Sequence, residues 1–93
     1  MVVGILNIKI VIRDAHSLKD KRSVIKSLKD RIRQKYNVSL SEIGAHNNHK
    51  QCILAVAMVG NERKHVNSVL SGLVNSFKLF PKVQLVDYNL ELI

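Results

Sequence analysis

Ninety-three residues make one domain and leave no room for two, and a chain this short buries roughly 60–65% of the surface its unfolded form exposes. A hydrophobic fraction of 46% with 24% charged residues is ordinary for a soluble globular protein. Fifteen Lys and Arg against seven Asp and Glu give a net +8, which points to a polyanionic partner, nucleic acid first.

The chain opens on an alternating apolar run, and residues 2–12 read as a strand. Val2, Leu6, Ile8, Ile10 and Ile12 share one face, while Val3, Ile5, Asn7, Lys9 and Val11 make a mixed second face. Gly4 falls on the core face, where its missing side chain leaves room for a helix. The apolar stretch Met1–Ile8 is far short of the about 20 residues a membrane span needs. With no basic stretch before it and no small-residue cleavage site after it, it is expected to be part of the domain rather than a secretory signal. Residues 18–36 read as a helix. Ser17 followed by Asp20 is a capping-box pattern, and Leu18, Ile25, Leu28, Ile32 and Tyr36 form one stripe.

Residues 38–45 read as a more polar strand at a sheet edge. His46-Asn47-Asn48-His49 reads as a turn, since Asn tolerates positive φ. Residues 51–59 are apolar on both faces and predict a central strand. Gly60-Asn61 breaks it, and Asn61 is a candidate helix cap. Val66, Val69, Leu70, Leu73 and Phe77 then carry a helix through about residue 79, which Pro81 stops. Residues 82–92 form the last strand. Val86, Tyr88, Leu90 and Leu92 share one parity and Val83 and Leu85 the other, so a bulge is expected near Leu85.

The order β-α-β-β-α-β, with right-handed crossovers, predicts an α+β domain over residues 1–93. It is the ferredoxin-like arrangement of a four-stranded antiparallel sheet with two helices on one face. That fold hosts many unrelated functions. Several motifs carry a more specific likeness: Met1-Val2-Val3-Gly4, the run His16-Ser17-Leu18-Lys19-Asp20-Lys21-Arg22, and Asn37-Val38-Ser39 followed by Glu42-Ile43-Gly44. Together they resemble the YlxP-like family of small bacterial proteins, a domain of unknown function, over essentially the whole chain. The resemblance implies a ferredoxin-like fold in a bacterial cytoplasmic protein. The family's frequent placement beside translation and ribosome-maturation genes implies RNA or ribosome work. It implies no catalytic residues. Family members usually carry an acidic-aromatic stretch with a Trp before the third strand. Asn47-Asn48-His49-Lys50-Gln51 stands there instead, so a partner role resting on that Trp does not transfer.

The charge is concentrated. Residues 17–36 carry eight basic and two acidic groups, six of the eight net charges. At 100° per residue Lys19, Arg22, Lys26, Lys29 and Arg33 fall within an arc of about 80°, a basic ridge beside the apolar stripe. A solvated face of snorkelling side chains and a membrane-surface helix are the competing readings. Helical surfaces usually mix signs for i, i+4 pairing, yet only Asp30 serves this ridge. Lys19, Lys21 and Arg22 also sit in the first turns, where the helix dipole opposes each by about 0.3 kcal/mol or more. With Ser17 and the free N–H groups of the helix start, these residues are the candidate phosphate contacts.

No other constellation specifies a reaction. His46, His49 and Cys52 supply three of the four ligands a structural zinc needs, and the strand expected to begin near Gln51 splits them. The single cysteine fits a reducing cytoplasm. No glycine-rich phosphate loop, dinucleotide fingerprint or G-x-x-G loop occurs, and no strand-borne aromatic platform. A non-enzymatic binding protein is therefore expected. It would use no cofactor or metal and would contact structured RNA or a ribosomal subunit through Ser17, Lys19, Lys21, Arg22, Lys26, Lys29 and Arg33. Such contacts read backbone shape rather than base sequence. The alternative is a homo-oligomeric regulatory or ligand-binding module without nucleic acid. The helix-free sheet face predicts a homodimer in either case.

Overall fold

A computed structural model describes residues 1–93. Six elements follow in chain order: β1 Val2–Ile12, α1 Leu18–Lys35, β2 Ser39–Gly44, β3 Gln51–Gly60, α2 Arg63–Leu79 and β4 Val83–Leu92. The strands form one sheet in the order β2-β3-β1-β4 with every neighbour antiparallel. The expected ferredoxin-like fold is the observed one. No helix is long and apolar enough to cross a membrane.

The two-residue period of β1 sets the architecture. Leu6, Ile8, Ile10 and Ile12 are buried beneath the helices, joined by Cys52, Leu54 and Val56 of β3. From above, α1 contributes Ile25, Leu28 and Ile32, and α2 contributes Val66, Leu70, Leu73 and Phe77. One contiguous cluster of 19 buried residues results, the single core expected of a domain this size.

The β4 parity conflict resolves as a bulge. Ile10 pairs with Leu85 but Lys9 pairs with Asp87, so Val86 is the extra residue. It turns Val83 and Leu85 onto the same face as Leu90 and Leu92. A second register shift lies between Glu42 and Gly44 against β3, leaving Ile43 half exposed.

Three local expectations are corrected. The α2 cap is Glu62 rather than Asn61, and its side chain makes no capping bond. Positive φ in the β2–β3 connection falls on Ala45, not on an asparagine. Asn48 instead acts through its side chain, whose Oδ1 accepts the N–H groups of Lys50 at 2.9 Å and Gln51 at 3.1 Å, an Asx turn. Finally, α1 ends at Lys35, with Tyr36 as its extended cap.

Gly4 and Gly60 let α2 close on the sheet. A Cβ on Gly4 would lie 2.5 Å from Leu70 Cδ1 and 2.6 Å from Val66 Cγ1, and one on Gly60 would lie 2.6 Å from Val66 Cγ2. Val66 and Leu70 are themselves fully buried and have no room to retreat. Gly4→Ala is therefore expected to cost about 1–3 kcal/mol by overpacking. Val66→Ala opens a cavity on its own but should recover part of that loss in the double variant. Urea unfolding of the four chains tests the coupling: strictly additive losses would show that Gly4 does not make room for Val66.

Candidate nucleic-acid interface

The start of α1 is built as expected. Ser17 Oγ accepts the Asp20 N–H at 3.1 Å, and Asp20 Oδ2 accepts the His16 N–H at 3.0 Å. The carboxylate thus reaches one residue beyond the cap. Both side chains are spent on capping, and Asp20 places a negative charge where an anion would have to sit. Ser17 therefore stands at the margin of any phosphate site rather than at its centre.

Along the helix, Lys19, Arg22, Lys26 and Arg33 are exposed and Lys29 half-buried. Arg22, Lys26, Lys29 and Arg33 line one side of a groove of about 300 Å³ between α1 and β2, whose opposite side includes Glu42 and His46. Lys26 Nζ meets Asp30 Oδ2 at 3.0 Å, a pair exposed on both sides and so worth little. Arg33 Nη2 donates to the Leu40 carbonyl at 3.0 Å, which ties the groove's far end to β2. Lys19, Arg22 and Lys29 form no hydrogen bond or ion pair within the chain.

Lys21 is the correction to the expected contact set. It is only 2% exposed. Its ammonium donates to the Ala45 carbonyl at 2.7 Å and meets Glu42 Oε2 at 3.0 Å, so its charge is spent on partners within the chain. The helical angle holds the signal that counting basic residues passes over: Lys21 lies within about 20° of Leu28 and Ile32, in the middle of the apolar stripe. Its acceptor Glu42 shares the inward parity of Leu40 in β2, since these residues pair with Leu54 and Val56 of β3.

The Lys21–Glu42 pair extends to Cys52, whose Sγ lies 3.6 Å from Glu42 Oε2. Burial pushes the Glu42 carboxyl up, but the hydrogen bond and the charge of Lys21 together outweigh it and hold the group below the ordinary glutamate range. Burial, reinforced by the Glu42 charge, drives the Cys52 thiol up to about 12. It is therefore a protonated core thiol at neutral pH and not a nucleophile. Cys52 faces the core while His46 and His49 stay on the turn, and no three His, Cys, Asp or Glu side chains converge.

The second helix adds to the charge. It carries Arg63, Lys64 and Lys78 and no acidic residue, a net +3 beside the +6 of α1. The helix layer thus holds +9 and all remaining residues together −1.

Lys21→Ala should cost about 3 kcal/mol or more, because it strands a largely buried carboxylate. Glu42→Ala should be similarly damaging, because it strands a buried ammonium. Replacing both by Met should lose less than either single change. A depressed carboxyl contributes stability that is complete above its ordinary pKa of about 4.3 and is lost as pH falls through the lower folded value. Chemical unfolding between pH 7 and pH 2 should accordingly show an acid loss in the wild type that the double Met variant lacks in part.

Over residues 3–90 the sequence matches the family model described as "Protein of unknown function (DUF503)". It is 31% identical over 83 residues to "Uncharacterized protein YlxP" of Bacillus subtilis (strain 168), covering 89% of this chain and 90% of that protein. Among solved structures, the "De novo designed protein Foldit4" superposes with a TM-score of 0.51 at 13% identity, covering 100% of this chain and 94% of the designed one. That likeness concerns the fold alone. By sequence, this ferredoxin-like chain belongs to the DUF503 family of YlxP-like proteins.

Proposed function

We propose that the protein binds structured RNA, ribosomal RNA being the first to test, through the groove between α1 and β2. The carrying observation is the set of free cations there. Arg22 and Lys29 have no partner within the chain, and the paired Lys26 is still 80% exposed. A structural face would neutralise such charges. A polyanion does so from outside, releasing its counterions. The cationic second helix on the same layer widens the footprint, so a surface larger than one groove faces the nucleic acid.

Reversing Arg22 and Lys26 to Glu should weaken RNA binding and flatten its salt dependence, each lost phosphate contact lowering the slope by roughly 0.7–0.9. Arg13→Glu with Lys50→Glu changes net charge equally at exposed sites outside the helices and should have a much smaller effect. Salt titration of RNA binding decides the matter: equal losses in the two double variants, or none in the first, would overturn the proposal. Co-sedimentation with ribosomal subunits from a bacterial lysate then identifies the RNA.

A different observation supports self-association through the helix-free sheet face. Val3 and Ile5 of β1 stand beside Val59 and Ala57 of β3 there. Lys9 is register partner of Asp87, yet its ammonium is in no ion pair. A twofold contact on this face should leave Lys9 at its rim or paired with Asp87 or Glu91 of the last strand. It is also the face at which two chains of +8 can meet with their cationic helices pointing apart. Sedimentation equilibrium at micromolar concentration should give twice the 10.5 kDa chain mass, and Ile5→Asp should halve it. A wild-type species at the single-chain mass would rule the dimer out.

A further inference from the structure

We propose that the groove between α1 and β2 holds one unpaired nucleotide and selects a base that presents an amino group on its Watson–Crick edge, cytosine before uracil. This rests on the RNA-binding reading and goes beyond it, because cations alone read only backbone. Glu42 is the carboxylate on the β2 side of a groove whose α1 side is mainly cationic, Asp30 being the other acidic residue in its lining. Its Oε2 is occupied by Lys21 at 3.0 Å and Cys52 at 3.6 Å. Its Oε1 makes no hydrogen bond, and no buried side-chain oxygen or nitrogen in the chain lacks a partner. Oε1 is therefore at the surface, an acceptor without a donor.

That acceptor is fixed in place. Lys21 anchors the carboxylate to α1 and, through the Ala45 carbonyl, to the β2–β3 turn. A preorganised anionic acceptor repels phosphate and favours an N–H donor. The cations of α1 do the reverse, so the two sides of one groove suit the two ends of one nucleotide. Carboxylate acceptance from the cytosine amino group is an established base contact. Uracil has the same shape but presents a carbonyl oxygen there, which a carboxylate rejects. His46 lines the same groove, with Nε2 3.3 Å from the Glu42 carbonyl, and offers a flat ring on which a base can stack. The groove volume of about 300 Å³ is at the lower end of small-ligand sites and suits one nucleotide. A base already paired in a duplex has no free edge to offer, so the ligand is a looped or single-stranded nucleotide.

The test compares fluorescently labelled octamers of cytidine, uridine and N4,N4-dimethylcytidine by anisotropy at one salt concentration. Wild-type protein should bind the cytidine octamer about tenfold or more tightly than the uridine octamer, the scale of one good base contact. The dimethylated octamer, which has no amino hydrogen, should fall to the uridine level. Glu42→Gln keeps its amide oxygen on Lys21 and therefore turns its NH₂, a donor, to the base, so it should abolish the cytidine preference. His46→Ala should weaken both octamers. If Glu42→Gln does not fold, the three octamers on wild-type protein still decide. Equal binding of all three would overturn base selection while leaving the RNA-binding reading intact. No binding of any octamer alongside tight, salt-dependent binding of duplex RNA would overturn it too. No binding of any RNA would overturn both readings.

Discussion

One buried ammonium organises the α1–β2 side of this molecule. Lys21 leaves α1 among Ile25, Leu28 and Ile32, crosses the core edge, and ends on two oxygens supplied by the β2–β3 hairpin. A charge in that position is tolerable only if both oxygens are there. The hairpin, the turn at Ala45 and the helix start are therefore held in one relative placement. The turn carbonyl that accepts from Lys21 also accepts the Asn48 N–H at 3.0 Å, and the positive φ at Ala45 belongs to that same tight bend. The groove walls are the two sides of this clamp: cations one helical face away from Lys21, and its own counter-charge across from them.

The layering is equally economical. Helices on one side of a sheet bury one parity of each strand and leave the other uncovered. Here the covered side takes the large aliphatic residues, and the glycines at positions 4 and 60 let α2 settle onto β1 and β3. The uncovered side is mixed, with Val3, Ile5 and Val59 near one end of the β1–β3 pair and Asn7, Lys9 and Ala55 further along it. Two surfaces of different character result from one alternation.

Much of this was legible in the sequence. The alternation of β1 places its buried residues without ambiguity, the Ser17–Asp20 spacing marks the start of α1, and the parity break at Leu85 announces the bulge. Charge alone groups Lys21 with its neighbours, although its helical angle sets it in the stripe. Residue type favours Asn61 as a cap, whereas α2 begins one residue later, with Glu62 at the cap. Residue type points to the turn asparagines for the left-handed backbone, whereas Ala45 adopts it and Asn48 acts through its side chain. The groove was out of reach, because it needs α1 and β2 side by side and Glu42 is one carboxylate among seven acidic residues until tertiary structure puts it there. For Lys21 it is a tertiary contact, its bonds to Ala45 and Glu42, that overrides the reading by residue type.

The separation of charge between layers also has a kinetic meaning. With the helix layer strongly positive and the rest slightly negative, the molecule carries a permanent electric moment roughly normal to its sheet. Ionic screening at physiological strength decays over about 8 Å, comparable with the thickness of one layer. A nearby polyanion therefore feels the helices with little cancellation from the acidic edge at β4. Such a field exerts a torque as well as an attraction. The protein would turn its helices forward during diffusional approach, so that a larger share of encounters begins in a productive orientation.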